Sequence, residues 1–310
     1  MIDQIRGLHH VTSFAGDAQR NNMFFTKTLG LRRVKKTVNF DNPDVYHLYY
    51  GDENGTPGSV MTYFPFPHIG HRRPGTGEVG TTVFAVPEDS LDFWKERFTS
   101  RGVNNLKEDE SFGSKRLHFT GIDGDSLALI EHKDDVRMPW HVDDIPADVA
   151  IRGFHSTVLH LQDDGATAEL LRFMGYDDIG SSNGIRRFIV EGGNAANVID
   201  LETTPTANRA QTGSGSVHHV AFEVDNREKQ LEVRKALVDT GYQVTPVIDR
   251  DYFWAIYFRT PGGVLFEVST DEPGFARDED KAHLGEVLKL PTQHAHLREF
   301  LEKTLVPIVD

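Results

Sequence analysis

Four times in this chain of 310 residues, a stretch with helical spacing stops on a glycine and is followed at once by an apolar residue. The first predicted helix runs from about Asp17, its N-cap, through Phe24, Phe25 and Leu29 to Gly30. The second carries Leu91, Phe93, Trp94 and Phe98 and stops at Gly102; the third carries Leu170, Leu171 and Phe173 and stops at Gly175. The fourth carries Leu231, Val233 and Leu237 and stops at Gly241. The residues that follow are Leu31, Val103, Tyr176 and Tyr242. Glycine enters the left-handed conformation without steric cost, and an apolar residue just after it packs back on the helix it ends. One such ending is common; four at similar spacing are a repeat, each with an extended start, a helix and several strands.

The strand ends repeat as well. Module one closes with Thr56-Pro57-Gly58-Ser59-Val60-Met61-Thr62-Tyr63, module four with Thr260-Pro261-Gly262-Gly263-Val264-Leu265-Phe266-Glu267. Aligned on Thr-Pro-Gly, Glu267 falls opposite Tyr63. Between modules two and three, the acidic, proline-punctuated segment from Lys133 to Pro146 reads as an inter-domain linker. The expected division is an N-terminal pair of modules over 1–135, a linker over 136–150 and a C-terminal pair over 151–270. A tail over 271–310 follows, with a helix near His294 to Leu305.

A hydrophobic content of 38% and aromatic content of 10% suit a packed protein. A formal charge of −14 argues against nucleic acid or an anionic membrane as partner, because both need a basic footprint. No apolar run approaches the roughly 20 residues of a membrane helix. Asp3, Gln4 and Arg6 interrupt the N-terminus where a signal peptide would be apolar, so a cytoplasmic location is expected. Without cysteine, any metal must be held by His, Asp or Glu, which favours a catalytic centre over structural zinc.

Gly7-Leu8-His9-His10-Val11-Thr12 near the start returns as Ser216-Val217-His218-His219-Val220-Ala221. A His-His pair heading a β-branched run, used twice, predicts two strand starts aimed at one place. Alternate strand residues face opposite sides, so only one histidine of each pair is expected to point straight into a barrel. Neutral imidazole is the commonest metal ligand, and Glu267 is placed to add a carboxylate.

Further stretches narrow the reading: Tyr46-His47-Leu48-Tyr49-Tyr50, Gly55-Thr56-Pro57-Gly58, Arg152-Gly153-Phe154-His155-Ser156, and Tyr257-Phe258-Arg259 running into Thr260-Pro261-Gly262-Gly263-Val264. Asp278-Glu279-Asp280 with Leu284-Gly285 belongs with them. Over most of residues 5–270 the chain resembles the vicinal oxygen chelate superfamily of glyoxalases, bleomycin resistance proteins and dioxygenases. More narrowly, it resembles ring-cleaving dioxygenases of the hydroquinone 1,2-dioxygenase type. The resemblance implies an α+β fold of four βαβββ modules paired into two half-open barrels. It implies His10, His219 and Glu267 as metal ligands, with His9 and His218 as neighbours lining the pocket or orienting the site. Two imidazoles and one carboxylate leave coordination positions open, which suits Fe(II), with Mn, Zn or Ni as alternatives. It further implies Tyr257, Arg250 and His218 in catalytic roles, His9 and Thr12 at the substrate, and a small aromatic diol and O2 as reactants. A homo-oligomer is compatible with the family.

The other modules serve as an internal control. Ser156 aligns with His10, and module two, beginning near Thr81-Thr82-Val83-Phe84, offers no histidine there. Only modules one and four are equipped, so a single metal requires these two to be neighbours in space, leaving two and three as a metal-free counterpart. His68 and His71 read as a solvated loop, His294 and His296 as surface residues, and His47 as a core or pocket-wall residue. Competing readings are a glyoxalase-like lyase or isomerase, a transferase of the same fold, a catechol-type extradiol dioxygenase and a metal-free binding module. The absence of a carboxylate opposite Glu267 counts against the first two. Ser156 counts against the extradiol arrangement, and the intact triad against the binding module.

Overall fold

In a computed structural model that describes residues 1–205 and 207–310, each module unfolds the expected order of elements. Module one is β1 (Leu8–Ala15), α1 (Ala18–Met23), β2 (Arg32–Val38), β3 (Tyr46–Gly51) and β4 (Val60–Pro65). Module two is β5 (Glu78–Val86), α2 (Leu91–Ser100), β6 (Asn104–Ser111), β7 (Ser114–Thr120) and β8 (Ser126–Glu131). Module three is β9 (Gly153–Leu161), α3 (Gly165–Phe173), β10 (Asp177–Ser182), β11 (Ile185–Ile189) and β12 (Val198–Thr203). Module four is β13 (Val217–Val224), α4 (Arg227–Asp239), β14 (Ile248–Asp249), β15 (Phe253–Arg259) and β16 (Leu265–Pro273). The tail winds through 3₁₀ turns at Phe275–Arg277, Lys281–His283 and Thr292–Leu297 into α5 (Arg298–Thr304).

Local chemistry explains the helices. Asp17 caps α1 by accepting from the Arg20 amide at 2.8 Å, and Asn226 caps α4 through the Lys229 amide at 3.1 Å. Gly102, Gly175 and Gly241 all have φ between +69° and +92°. The amides of Val103, Tyr176 and Tyr242 reach back five residues to Phe98, Leu171 and Leu237, closing each helix end. Module one departs from this: α1 continues as a π turn over Phe24–Thr28, and Leu31 reaches back six residues to Phe25.

The strands form two eight-stranded sheets, and their order decides which modules meet. One runs β14-β15-β16-β13-β1-β4-β3-β2, the other β10-β11-β12-β9-β5-β8-β7-β6. Module four therefore abuts module one, and module three abuts module two, as ligand bookkeeping required. Each sheet is a curled half-barrel with a first strand of each module at its centre, β1 against β13 and β5 against β9. A continuous apolar core, including Leu8, Met61 and Phe222 of one sheet and Phe84, Leu129 and Phe154 of the other, packs the sheets and helices together. Separate buried clusters line the inner faces: Tyr49, Val60, Phe253 and Ala255 in the first, Val83, Ala128, Ile130 and Val158 in the second.

The segment read as a linker carries no strand or helix, yet it packs back on the body. Ile145 is buried, Asp144 pairs with Arg97, and Trp140 lies under the Arg32 guanidinium. Among the described residues, no helix is long and apolar enough to cross a membrane.

Candidate metal centre and its pocket

Both His-His pairs sit on β-bulges that bring the two rings of each pair into contact; His10 alone of the first pair lines the cavity described below, as expected, whereas both His218 and His219 line it, which corrects the expectation for the second pair. On β1, Leu8 pairs with Phe222 and His10 with Ala221, so His9 is an extra residue. On β13, Val217 and His219 pair with Ser13 and Thr12, so His218 is extra. A bulge re-aims the residues beside it and lets neighbours share a side. His9 Nδ1 thus lies 2.9 Å from His10 Nδ1, and His218 Nδ1 lies 2.7 Å from His219 Nδ1.

The bulges turn His10 and His219 toward each other across the sheet centre, with their Nε2 atoms 3.1 Å apart. Glu267, on β16 beside β13, brings Oε2 to 2.9 Å from His219 Nε2 and 3.7 Å from His10 Nε2. Its other oxygen accepts from Ser269 Oγ at 2.5 Å. All three side chains are buried, and among the described residues they form the one cluster of three or more His, Asp or Glu able to share an ion.

The donor set fits a cation. Each Nδ1–Nδ1 contact needs one proton, and when His10 and His219 carry it, their Nε2 atoms present lone pairs to Glu267. Glu267 Oε2 has no hydrogen-bond donor although it is fully buried. Facing lone pairs and an unsatisfied buried carboxylate oxygen are costly without a positive charge between them. Their separations match neighbouring ligands of one ion with bonds of about 2.0–2.2 Å. The electrostatics agree: burial holds His10 well below its ordinary value and therefore neutral. For Glu267, burial raises the carboxyl, and it is positive charge on the side of His219 and His10 that holds it well below the carboxylate range, a charge that neutral imidazoles do not supply and a bound cation would.

Above the triad opens a cavity of about 270 Å³. Its walls are largely aromatic, with Phe14, Phe64 and Phe253 among them, and Phe253 lies against the rings of both His9 and His10. Tyr257 and Arg250, both named from the sequence, line it; Arg250 Nε donates to Tyr257 Oη at 3.2 Å. Burial and the Glu267 charge push the Tyr257 phenol far above its ordinary value, so it stays protonated. His218 is on the wall too, and burial lowers it to about 3. His9 and Thr12 stand elsewhere. His9 lies behind His10, lowered by burial to about 4, and faces a different cleft beside Gly55 and Phe275. Thr12 Oγ1 is bonded to Thr62 Oγ1 at 2.8 Å. His47, on the wall as expected, is satisfied at both nitrogens, by Tyr49 Oη at 2.8 Å and Thr62 Oγ1 at 2.9 Å.

The residue matching Glu267 in module one is Thr62, not Tyr63. Ala221, two residues past His219, pairs with Glu267; Thr12, two past His10, pairs with Thr62. The turn from Thr260 to β16 is one residue longer than that from Thr56 to β4, so aligning on Thr-Pro-Gly slips by one and lands on the opposite face. Tyr63 points into the core and donates to Asp125 at 2.6 Å. The conclusion drawn from Tyr63 survives the correction, since threonine also supplies no carboxylate.

The second sheet repeats the frame without the chemistry. Its bulges fall at Gly80 and His155, which places Thr81 and Ser156 where His10 and His219 stand. His155 Nδ1 lies 3.0 Å from Ser156 Oγ, the same neighbour contact with a hydroxyl in place of the triad imidazole. Two residues past Ser156, Val158 pairs with Asp200, which therefore matches Glu267. Sequence reasoning missed Asp200 because module three lacks the Thr-Pro-Gly marker. Arg187, cross-strand from Asp200, fills the position with its guanidinium, through two contacts of 2.7 Å. A fixed organic cation satisfies the carboxylate in that sheet.

A model of the glyoxalase/bleomycin resistance protein/dioxygenase superfamily matches residues 7–129 and 181–268. The chain belongs to this superfamily, whose vicinal oxygen chelate fold its two half-barrels display. It is 40% identical over 308 residues to MhqO of Bacillus subtilis, named as an inferred ring-cleaving dioxygenase, covering 99% of this chain and 98% of the relative. It is 35% identical over 313 residues to the chlorohydroquinone/hydroquinone 1,2-dioxygenase of Sphingobium indicum, covering 98% and 97%. The crystal structure of an inferred dioxygenase from Bacillus subtilis superposes with a TM-score of 0.95 at 39% identity, covering 99% and 98% of the two chains.

Proposed function

We propose that this chain is a non-haem Fe(II) ring-cleaving dioxygenase that inserts both atoms of O2 into a hydroquinone-type aromatic diol. The observation that carries the reading is the convergence of three buried donors, two imidazoles and one carboxylate, on the floor of an aromatic-walled cavity sized for one ring. His10, His219 and Glu267 would hold the metal, which when bound supplies open positions where a phenolic oxygen and O2 meet. The relatives named as ring-cleaving dioxygenases, one of them for hydroquinones, support the reaction class.

The chain's own residues have separable tasks. His9 and His218 fix the rotation and tautomer of the ligand histidines through Nδ1, and Ser269 steadies Glu267. The phenylalanine walls hold the ring flat and exclude water. Arg250 orients the Tyr257 hydroxyl, and the protonated phenol can donate to an oxygen that gains charge on the substrate. Thr62, tied to Thr12 and His47, leaves the fourth register position without a carboxylate. That disfavours a glyoxalase-like isomerase or a transferase with four protein ligands.

Anaerobically purified protein should carry about one Fe(II) per chain and consume O2 with hydroquinone in preference to catechol. No uptake with any hydroquinone or catechol sinks the reading; uptake with catechol alone transfers it to the extradiol class.

A further inference from the structure

Among the described residues, Arg250 is the one lysine or arginine on the cavity wall, and Asp41 is the one carboxylate there besides Glu267. They come from opposite modules, Asp41 from the β2–β3 loop and Arg250 from the β14–β15 turn, and meet at 3.2 Å across the cavity mouth. We propose that Asp41 sets the charge selectivity of the pocket: it neutralises Arg250 at the entrance, so the site takes uncharged diol rings and discriminates against rings bearing a carboxylate. This rests on reading the pocket as an aromatic-diol site.

The geometry gives the pair a direction. The Asp41 side chain is 80% exposed and that of Arg250 16%, so an arriving ring passes the acid before it reaches the cation. The guanidinium cannot swing inward to greet an anionic substituent. Its Nε is committed to Tyr257 Oη, and its plane lies over the Phe40 and Tyr257 rings, 5.6 and 5.4 Å from their centroids. Both arms are held from behind by the C-terminal tail. The Phe40 carbonyl accepts from Gln293 Nε2 at 2.6 Å and lies 2.8 Å from His294 Nε2. Asp251, beside Arg250, accepts from the Thr292 amide and hydroxyl.

An ion pair whose carboxylate is mostly in solvent adds little to folding. A fixed negative charge at the mouth of a low-dielectric cleft acts instead on approach and binding, and a repulsive element is an efficient way to reject a near-identical ligand. Asn39 and Asn42, which flank Asp41, are neutral and do not offset it. The chain's net charge of −14 works in the same direction.

The test compares hydroquinone with 2,5-dihydroxybenzoate, the same diol carrying a carboxylate, in wild type, Asp41→Asn and Asp41→Glu. In Asp41→Asn the kcat/KM ratio of the carboxylated to the plain ring should rise roughly five- to tenfold, the effect of one unit charge several ångströms away at a dielectric between protein and water. Asp41→Glu should keep the wild-type ratio, and added salt should narrow the gap between wild type and Asp41→Asn. An unchanged ratio in Asp41→Asn, or an equal rise in Asp41→Glu, overturns the assignment. Absence of O2 uptake with both rings instead defeats the dioxygenase reading. The same ratio is then taken from dissociation constants by equilibrium dialysis against Fe(II)-loaded protein, where equality between wild type and Asp41→Asn overturns the role of Asp41 by itself.

Discussion

His10 and His219 each lean on the histidine one residue earlier, while Glu267 leans on Ser269, and this division of labour predicts a graded response to substitution. Removing a donor, in His219→Ala or Glu267→Gln, should abolish stoichiometric metal and activity together while the circular dichroism spectrum stays native. Removing a support, in His9→Ala, His218→Ala or Ser269→Ala, should leave one metal per chain at saturation but weaken its affinity about 10- to 100-fold, read by chelator competition. His155→Ala, in the other sheet, should change neither. Wild-type metal content in His219→Ala would refute the ligand set. At this scale the residues that converge as a triad were legible in the motif, because a His-His pair before a β-branched run occurs twice and a carboxylate closes the last module. An orienting role for His9 and His218 came with the resemblance as one of two readings, but the bulges behind it could not be read, since a bulge is defined by the partner strand and by no residue in the pair.

Between β11 and β12, the Arg187–Asp200 pair shows what the same register does with an internal cation. Arg187→Ala would leave a fully buried carboxylate without its partner and should cost about 3–5 kcal/mol in urea unfolding. The double variant Arg187→Met with Asp200→Leu should recover most of that loss. Equal losses in the two would mean that packing, not charge, governs the site. Helix ends make a second contrast. Gly241 is left-handed with open space beside it, so Gly241→Ala should cost about 1–2 kcal/mol of conformational strain. Gly30 is also left-handed, but the Ile145 side chain occupies the place of a methyl group, so Gly30→Ala should cost clearly more by the same measurement. The four helix endings could be read from glycine and the apolar residue after it. The π turn in module one and the slip from Thr62 to Tyr63 could not, because turn length shifts strand register without changing any motif.

The two sheets meet at polar contacts as well as in the core. Tyr63 of the first sheet donates to Asp125, which precedes β8 of the second, and burial raises this carboxyl from 3.8 to about 6, with the Asp123 charge adding to the rise. A carboxyl with a higher pKa folded than unfolded keeps its proton longer in the native state. Its stabilisation is therefore complete below about pH 3.8 and is lost as pH rises through about 6, to a total of about 3 kcal/mol. Asp125→Asn should flatten this part of the profile in urea titrations between pH 4 and 7; an unaltered slope would assign it to other groups.

Local and periodic information was within reach of the sequence: where helices stop, which strand starts carry imidazole, and which modules lack it. These depend on residue type and short-range spacing, and both are written along the chain. The need for modules one and four to adjoin followed from counting ligands, and the sheet order meets it. Tertiary structure alone decided what depends on a partner strand. Pairing of β1 with β13 creates the bulges that bring the rings of each histidine pair into contact, register places Thr62 and Asp200 opposite their neighbours, and the tail holds the arms that carry Asp41 and Arg250. A strand carries its own side-chain alternation, but its register belongs to two strands at once, and the chemistry at the sheet centre is set by that register.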